Sequence, residues 1–395
     1  MTTGIPLAER VRTLEGSPTL ALAATAKALQ KAGKPVIDLS AGEPDFPTPE
    51  AIKRAGLQAI HDNHTTYTPA AGIPELRSAI AHDLSKRLAV PYESSQVIVT
   101  TGAKHALYNA FQAICEPGDE VIVLTPYWVS YPAQIHLAGG RARLLPTREG
   151  ERFQPDPDAI RSAITPRTKA IVLNSPSNPT GALLERDRLK VIAGLALDRH
   201  LTIISDEIYD RLVYPPAQPC SILHAEPAVA GQTLVVNGVS KTYSMTGWRI
   251  GYAAGPKPLI EAMGALQSHS TSNPTSISQH AALAAFTQPI PEVDTMVREF
   301  QQRRDRFVNG LNRLPGLSCV MPDGAFYAWC NISRLGRPAA EIAARWLEEI
   351  FVVGVPGEGF GSPDHVRFSF AASPKALEEG LTRLEQWLRQ HQTAS

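Results

Sequence analysis

The sequence has little of what marks several common classes of protein. No stretch of its 395 residues approaches the roughly 18 consecutive apolar residues of a membrane-spanning helix, so no membrane association is predicted. Its 38 basic and 38 acidic residues balance to a formal net charge of +0, which argues against binding nucleic acid or another polyanion. A local basic pocket for a phosphate or a carboxylate is still compatible with this balance.

Cysteine is also scarce. The sequence has four cysteines, which lie far apart and include no CxxC pair: Cys115, Cys220, Cys319 and Cys330. This usage is typical of buried or incidental thiols in a reducing compartment, rather than of disulfides or a metal site. Residues 1–14 contain no apolar core of a signal peptide. We therefore expect a cytoplasmic protein without a bound metal.

What the sequence does contain is a recurring unit, in which a short apolar run rich in β-branched residues ends in a polar or Gly/Pro-rich turn. Such runs occupy residues 97–100, 120–124, 170–173, 201–204 and 234–236. Continuous apolar runs with long connections between them are typical of strands buried on both faces of a mainly parallel sheet. Ligands of such sheets bind beyond the carboxyl ends of the strands. The pattern predicts an α/β fold with one site at that edge.

Beyond residue 290 the pattern changes. It predicts a smaller α+β unit made of a charged helix, two strands and a final amphipathic helix, at 300–314, 324–330, 365–370 and after Pro374 respectively. Turn-forming residues just before this unit indicate a domain border. We predict a large domain over residues 46–289, and a small domain formed by residues 1–45 together with 290–395.

The segment SKTYSMTGWRIGY, residues 240–252, contains the strongest candidate for chemistry. A lysine taken alone is normally a surface charge, but Lys241 follows an apolar run in a segment with few other charges. Burial near other cations lowers the pKa of a lysine and makes its amine a usable nucleophile. Ser240 and Arg249 could bind a phosphate, the arginine through two charge-assisted hydrogen bonds.

This segment resembles the lysine segment of the class-I pyridoxal-phosphate aminotransferases. The resemblance covers most of the chain, from AGEPDF at residues 41–46 to HVRFS at 365–369, with the motifs in the family's order. Within the family, the chain is similar to the bacterial aspartate aminotransferases of the gamma branch. The resemblance implies a fold-type-I transferase whose large domain has a mainly parallel seven-stranded sheet. It also implies that Lys241 forms an imine with pyridoxal 5'-phosphate.

The resemblance assigns cofactor contacts to polar residues at the predicted strand ends. Asp206 would keep the pyridine nitrogen protonated, so that the ring can accept electrons, although by itself it could be a carboxylate that caps a loop. Trp128 would stack on the ring, although most such tryptophans belong to a core or an interface. Backbone N–H groups where a helix begins suit a phosphate. The remaining implied cofactor contacts are Tyr209, Asn178, Gly102, Ala103, Lys104, Ser240 and Arg249.

Substrate contacts are implied in the same way. Arg367 would hold the substrate α-carboxylate, with Gly42 and Asn178 beside it, although a surface salt bridge is the plain alternative. Trp128 would also face the substrate. The gamma-branch enzymes hold a second, distal carboxylate, and the matching positions here are Lys104, Ser17 and Thr19.

The quaternary structure is implied too. Tyr67 resembles the tyrosine that reaches the cofactor phosphate of the neighbouring subunit, so a two-fold homodimer is expected.

The expected activity is a ping-pong transfer of the amino group of L-aspartate to 2-oxoglutarate, with Lys241 as the acid and base. Prephenate, an aromatic amino acid or alanine are alternative substrates. A pyridoxal-phosphate C–S lyase would share the fold, but Lys104 weighs against it. A cofactor-sensing transcription regulator is also disfavoured, because the motif at 41–46 leaves little room for a DNA-binding domain before it and the basic bias is absent.

Overall fold

The computed structural model of the protein describes residues 4–14, 16 and 18–392. The strands are β1 Ile37–Asp38, β2 Val97–Thr100, β3 Glu120–Thr125, β4 Arg141–Pro146, β5 Thr168–Asn174, β6 Thr202–Asp206, β7 Thr233–Gly238, β8 Gly251–Ala254, β9 Ser318–Cys319, β10 Tyr327–Asn331, β11 Val352–Val353, β12 Val355–Pro356 and β13 His365–Ser369. The helices are α1 Glu9–Arg12, α2 Pro18–Lys31, α3 Glu50–His61, α4 Pro74–Leu88, α5 Ala103–Ile114, α6 Ser130–Leu137, α7 Pro157–Ala163, α8 Arg186–Arg199, α9 Ile222–Ala225, α10 Lys257–Ser268, α11 Ser276–Thr287, α12 Glu292–Leu311, α13 Ala339–Ile350 and α14 Pro374–Gln392. Within these described ranges, no helix has the length and apolar character to cross a membrane.

A seven-stranded sheet forms the centre of the larger part of the molecule. Its strand order is β2, β8, β7, β6, β5, β3, β4. Neighbouring strands run parallel, except that β8 is antiparallel to both β2 and β7. The mainly parallel seven-stranded sheet that the resemblance implied is therefore confirmed.

The five apolar runs of the sequence correspond to β2, β3, β5, β6 and β7, with ends that differ by a few residues. Two strands of the sheet were not recognised from their own residues. The edge strand β4 exposes much of its length, so it lacks a continuous apolar run. The short strand β8 begins at Gly251, a residue type that is uncommon in strands, and its sequence was taken for part of the lysine segment.

The smaller part is an α+β unit, as predicted. Its four-stranded sheet has the order β12, β13, β10, β9 with antiparallel pairing, and α12 packs against α14. The charged helix predicted over 300–314 is longer at its start, since α12 begins at Glu292, and it ends at Leu311. The proposed domain limits at residues 45/46 and 289/290 stay a prediction.

All four cysteines are free thiols, as expected. Cys115, Cys319 and Cys330 are buried, and Cys220 is half-buried.

The order of the strands brings α5 and β8 into close contact below the helix start. A Cβ atom added to Gly251 would lie 2.1 Å from the backbone nitrogen of Ala103 and 2.3 Å from the carbonyl carbon of Gly102. Real Cβ atoms do not approach backbone so closely, so a side chain at this position would push the helix and the strand apart. The lack of a side chain at Gly251 therefore allows the start of α5 to lie directly against β8.

We predict that Gly251→Ala destabilises the protein by about 2 kcal/mol or more, because both contacts are with backbone atoms that cannot rotate away. Urea unfolding of the wild type and the variant measures this difference. Gly264→Ala is the matched control, since nothing lies within 4 Å of a Cβ atom added at that position of α10. Equal stability of Gly251→Ala and the wild type would contradict the prediction.

Candidate active site

A cavity of about 470 Å³ lies at the carboxyl edge of the large sheet, where the two parts of the molecule meet. It is lined by most of the residues that the sequence analysis singled out: Gly42, Ala103, Lys104, Trp128, Asn178, Asp206, Tyr209, Ser240, Lys241, Arg249 and Arg367. They come from strand ends and loops that are far apart in the chain. The convergence follows from the parallel sheet, because the carboxyl ends of its strands share one edge.

Four predicted residues are not among the described residues that line the cavity. Gly102 directly precedes α5, and a Cβ atom there would lie 2.5 Å from an Nη2 atom of Arg249, so it belongs to the same wall. Tyr67 is 90% exposed on the surface of the chain. Ser17 lies outside the described residues. Thr19 belongs to α2, but its side chain is not described.

Lys241 follows the fully buried strand β7 by three residues. Its Nζ atom donates a hydrogen bond to the carbonyl oxygen of Gly42 at 2.6 Å. Burial lowers the pKa of the Lys241 amine to about 8, and the nearby cations, among them Arg249 and Arg367, act in the same direction. Glu43 acts against this shift. A larger fraction of the amine is therefore unprotonated near neutral pH than in an ordinary lysine.

Asp206 is the last residue of β6 and is 4% exposed. Its Oδ2 atom accepts a hydrogen bond from the hydroxyl of Tyr131 at 2.7 Å, and Oδ1 accepts one from the backbone N–H of Ile208 at 3.2 Å. Burial raises the pKa of the Asp206 carboxyl to about 6, and these hydrogen bonds limit that rise. A carboxylate so placed favours a protonated, cationic group as its neighbour in the cavity.

Arg367 lies in β13, where every residue is buried, and is itself 3% exposed. The alternative of a surface salt bridge is therefore wrong. Its Nη1 atom donates to Oδ1 of Asn178 and its Nη2 atom to the carbonyl oxygen of Ser40, both at 3.0 Å. Its buried Nε atom has no hydrogen-bond partner among the described residues. A guanidinium that is buried without an anionic partner suits an incoming carboxylate.

Asn178 is positioned by its own loop. Its backbone N–H donates to Oδ1 of Asn174 at 2.8 Å, and the peptide bond between Asn178 and Pro179 is cis. The side chain of Asn174 in turn donates to the carbonyl oxygen of Asp206 at 3.0 Å. The loop that meets Arg367 is thus joined to the strand end that presents the buried carboxylate.

The Nζ atom of Lys104 lies 4.9 Å from the ring centroid of Trp128, within the range of a cation–π contact. Burial, and after it the charge of Arg249, lowers the pKa of Lys104. Trp128 lines the cavity and is half-buried, so its ring is not part of a closed core. Lys104 and Arg367 are thus two of the cationic side chains that line the cavity.

Three side chains of the site, those of Tyr131, Tyr327 and Glu43, had no predicted role. The hydroxyls of Tyr209 and Tyr327 lie 2.9 Å apart, and the guanidinium of Arg367 lies 4.4 Å from the ring centroid of Tyr327. Glu43 accepts a hydrogen bond from Thr246 at 2.7 Å at the rim of the cavity. Of these missed residues only Tyr131 had a usable signal, because it stands three residues after Trp128 and so on the same side of a helical turn.

These residues fit pyridoxal 5'-phosphate. Lys241 supplies an amine that can react with an aldehyde, and Asp206 supplies a buried carboxylate for a protonated ring nitrogen. The exposed guanidinium of Arg249 lies against Gly102 at the start of α5, where a phosphate would also meet the positive end of the helix. A side chain at Gly102 would clash with this guanidinium, so the glycine allows Arg249 to reach the start of α5.

Comparison with known proteins agrees with this arrangement. The family model "Aminotransferase class I and II" matches residues 34–384. The aspartate aminotransferase of Geobacillus stearothermophilus is 48% identical over 97% of this chain and 98% of its own length. The aspartate/prephenate aminotransferase of Thermus thermophilus is 45% identical over 95% and 97% of the two chains. A solved structure described as aspartate aminotransferase from Thermus thermophilus with maleate superposes with a TM-score of 0.94 at 43% identity, covering 97% of this chain and 100% of that one.

The burial of Asp206 generates a prediction about pH. Its carboxyl has a higher pKa in the folded chain than the ordinary value of 3.8, so the folded state binds more protons between the two values. The folded protein consequently loses stability as the pH rises from about 4 to about 6. In cofactor-free protein, Asp206→Asn should raise the free energy of unfolding near neutral pH by about 3 kcal/mol. This gain should shrink as the pH falls toward about 5.

Urea unfolding of cofactor-free protein at several pH values measures the difference. Asp198→Asn is the control, because Asp198 is exposed on α8. A gain in stability that is the same at every pH would show that the Asp206 carboxyl does not titrate in this range.

Proposed function

The chain belongs to the class I and II aminotransferase family, and we propose that it transfers the amino group of L-aspartate to 2-oxoglutarate with pyridoxal 5'-phosphate as its cofactor. The products are oxaloacetate and L-glutamate, formed in two half-reactions of a ping-pong mechanism. Both substrates are dicarboxylic acids. The observation that carries the proposal is the pair of cationic side chains, Arg367 and Lys104, that line one cavity together with Lys241.

Arg367 is suited to the α-carboxylate, because its planar guanidinium can form two parallel hydrogen bonds that fix the plane of the carboxylate. The Asn178 side chain and the Gly42 backbone, both in the wall of the cavity, complete this contact. Lys104 is a point charge and suits the distal carboxylate, whose position differs between the two dicarboxylic substrates. The related Thermus thermophilus enzyme, whose structure is described with maleate, also accommodates a dicarboxylate.

Pyridoxal 5'-phosphate, when bound, supplies an electron sink that stabilises negative charge at the substrate Cα. The other steps fall to the chain. Lys241 would release its hydrogen bond to Gly42 and hold the cofactor through its Nζ atom. Once the amino group of the substrate takes over that link, the freed Nζ amine would remove the Cα proton and carry it until it is given back. Its pKa of about 8 suits both directions, since an amine titrating near the working pH can take and give a proton.

The remaining residues bind and orient. Asp206 holds a proton on the ring nitrogen, because a buried carboxylate is stabilised by a cationic neighbour. Arg249, Ser240 and the backbone at Gly102 and Ala103 bind the phosphate. Tyr209 is placed for the phenolic oxygen and Trp128 for the face of the ring. These groups hold the reacting atoms in a fixed geometry, and such positioning supplies a large part of an enzyme's rate enhancement.

A second candidate substrate is prephenate. This candidate is supported by the Thermus thermophilus relative named aspartate/prephenate aminotransferase, which is 45% identical to this chain. A C–S lyase would instead release pyruvate and ammonia from its substrate, and the presence of Lys104 in the cavity favours a dicarboxylic substrate over this reaction. A substrate panel separates these outcomes.

We also propose that the protein is a cytoplasmic homodimer in which Tyr67 reaches the phosphate in the partner's cavity. Two features of this chain support the dimer. Tyr67 is 90% exposed, whereas tyrosine side chains in folded proteins are commonly at least partly buried. Its loop is also held rigidly, with Gln279 donating to Oγ1 of Thr68 at 3.1 Å and Gln267 donating to the carbonyl oxygen of Ala70 at 2.6 Å. A tyrosine fixed in an exposed position is suited to contact a second copy of the chain.

Lys241→Ala should abolish transamination and the visible absorbance of the lysine-bound cofactor, because the link to the cofactor and the proton transfer both depend on the Nζ amine of Lys241. The measurements are a coupled assay for oxaloacetate and an absorbance spectrum of the protein mixed with cofactor. Lys86→Ala, on the exposed face of α4, is the control and should leave both unchanged. Full activity of Lys241→Ala would exclude the assigned role.

Lys104→Gln tests the substrate. In the wild type, single-turnover rates with aspartate and glutamate should exceed those with alanine and tyrosine. The substitution removes one charged hydrogen bond, so kcat/KM for aspartate should fall about 10- to 100-fold while that for alanine changes little. Lys86→Gln serves as the control. A wild-type preference for alanine or aromatic substrates, or equal losses for all substrates in Lys104→Gln, would contradict the aspartate assignment.

A further inference from the structure

Tyr131 is a buried tyrosine in the first turn of α6, and its hydroxyl donates a hydrogen bond to Oδ2 of Asp206 at 2.7 Å. The two side chains are 2% and 4% exposed, so water does not compete for this bond. A hydrogen bond to an ionised carboxylate is about twice as strong as one between neutral groups. The role of Asp206 in holding a proton on the ring nitrogen depends on its staying ionised at this position.

The carboxylate needs such a donor because burial acts against its charge. Its pKa is raised to about 6 by burial, whereas the Tyr131 hydroxyl, the Ile208 backbone N–H and, at longer range, Lys241 act in the opposite direction. Tyr131 has the largest of these opposing effects. Without its hydroxyl, the carboxyl would become neutral at a higher pH, and a neutral carboxyl gives little stabilisation to a protonated ring.

A tyrosine is well suited to this task. Burial and the Asp206 carboxylate both raise the pKa of the Tyr131 hydroxyl well above its usual range. The phenol therefore stays protonated and remains a donor throughout the pH range in which the protein works. A histidine at the same place would titrate near neutral pH and would change its number of donors.

The helix that carries Tyr131 also positions two other parts of the site. The Trp128 ring, three residues earlier, meets the Tyr131 ring edge-on with centroids 5.4 Å apart and planes at 78°. Gln134, three residues later, donates from its Nε2 atom to the carbonyl oxygen of Lys104 at 3.0 Å. Tyr131 thus lies between Trp128, which is proposed to stack on the ring, and α5, which carries Lys104. This packing leaves the Tyr131 hydroxyl little freedom to turn away from Asp206.

We propose that Tyr131 is a positioning residue that acts through Asp206, keeping this carboxylate ionised and oriented so that it can hold a proton on the cofactor's ring nitrogen. The inference rests on the proposed function for its effect on rate. The contact between Tyr131 and Asp206 is itself a property of the chain and can be tested without turnover.

The test uses Tyr131→Phe, which keeps the ring that packs against Trp128 and removes only the hydroxyl. The holoenzyme is prepared with cofactor labelled with ¹⁵N in the ring, and the chemical shift of that nitrogen reports its protonation. We expect this shift to move toward the value of the unprotonated ring, kcat for aspartate to fall about tenfold or more, and KM to change little. Tyr214→Phe is the control, because Tyr214 is equally buried but its hydroxyl donates to the backbone of Ala325.

A double-mutant cycle separates positioning from a general structural role. If Tyr131 acts through Asp206, adding Tyr131→Phe to Asp206→Asn should lower kcat no further. A second loss of the same size in the double variant would overturn the proposal, as would a Tyr131→Phe holoenzyme with the wild-type ¹⁵N shift and kcat.

Cofactor-free protein supplies a readout that does not depend on transamination. Tyr131→Phe should move the pH at which Asp206 loses its proton upward from about 6, as followed by the pH dependence of urea unfolding. An unchanged pH dependence would overturn the inference even if the wild type is an active aminotransferase. A wild type that is inactive with every substrate would instead overturn the proposed function, and the shift in pH would still report on Tyr131 and Asp206.

If Tyr131→Phe does not fold, the wild type and Asp206→Asn are compared by the NMR signal of the Tyr131 hydroxyl proton. Replacing a carboxylate acceptor with a neutral amide weakens the hydrogen bond, so this signal should move upfield and exchange faster with water. A hydroxyl signal that Asp206→Asn leaves unchanged would overturn the proposal.

Discussion

The removal of charged side chains from water at one edge of a sheet is the constraint from which the chemistry of this protein follows. Lys241 and Asp206 line the same cavity, and burial shifts the pKa of each in the direction that favours its uncharged form. The pKa of the amine is lowered to about 8, and that of the carboxyl is raised to about 6. In water these values would lie far apart, near 10.5 and 3.8. The cavity thus holds an amine that can take and give a proton near neutral pH, and a carboxylate that depends on its hydrogen bonds to stay ionised there.

Burial of this kind is tolerated only where every charged group has polar contacts. Arg367 donates to Asn178 and to the Ser40 backbone, and Asp206 accepts from Tyr131 and the Ile208 backbone. The polar groups whose hydrogen bonding is still incomplete among the described residues indicate which ligand the cavity would bind. The unpartnered Nε atom of Arg367 and the exposed guanidinium of Arg249 are complementary to a carboxylate and a phosphate respectively.

The contacts also join the two parts of the molecule across the site. The Arg367 contact with Asn178 and the contact between the hydroxyls of Tyr327 and Tyr209 each link the small sheet to a loop beside the large one. A movement of the small part would therefore shift Arg367 and Tyr327 relative to Asn178 and Tyr209. Such coupling gives the substrate a way to complete the site when it binds.

The family and the mainly parallel sheet could be predicted from the sequence, and so could the convergence of Lys241, Asp206, Asn178 and Arg367 on one cavity. The reason is local: apolar runs with polar ends mark buried strands, and the lysine segment is distinctive within thirteen consecutive residues, 240–252. Strands β4 and β8 could not be recognised in this way, because an exposed edge and an initial glycine remove the apolar signal. The contact of Tyr131 with Asp206, the places of Tyr327 and Glu43 in the cavity wall and the burial of Arg367 were decided only by the tertiary structure. Hydrogen-bond partners and loss of solvent depend on residues far away in the chain: Tyr131 and Asp206 are 75 positions apart, and no local pattern records that their side chains meet.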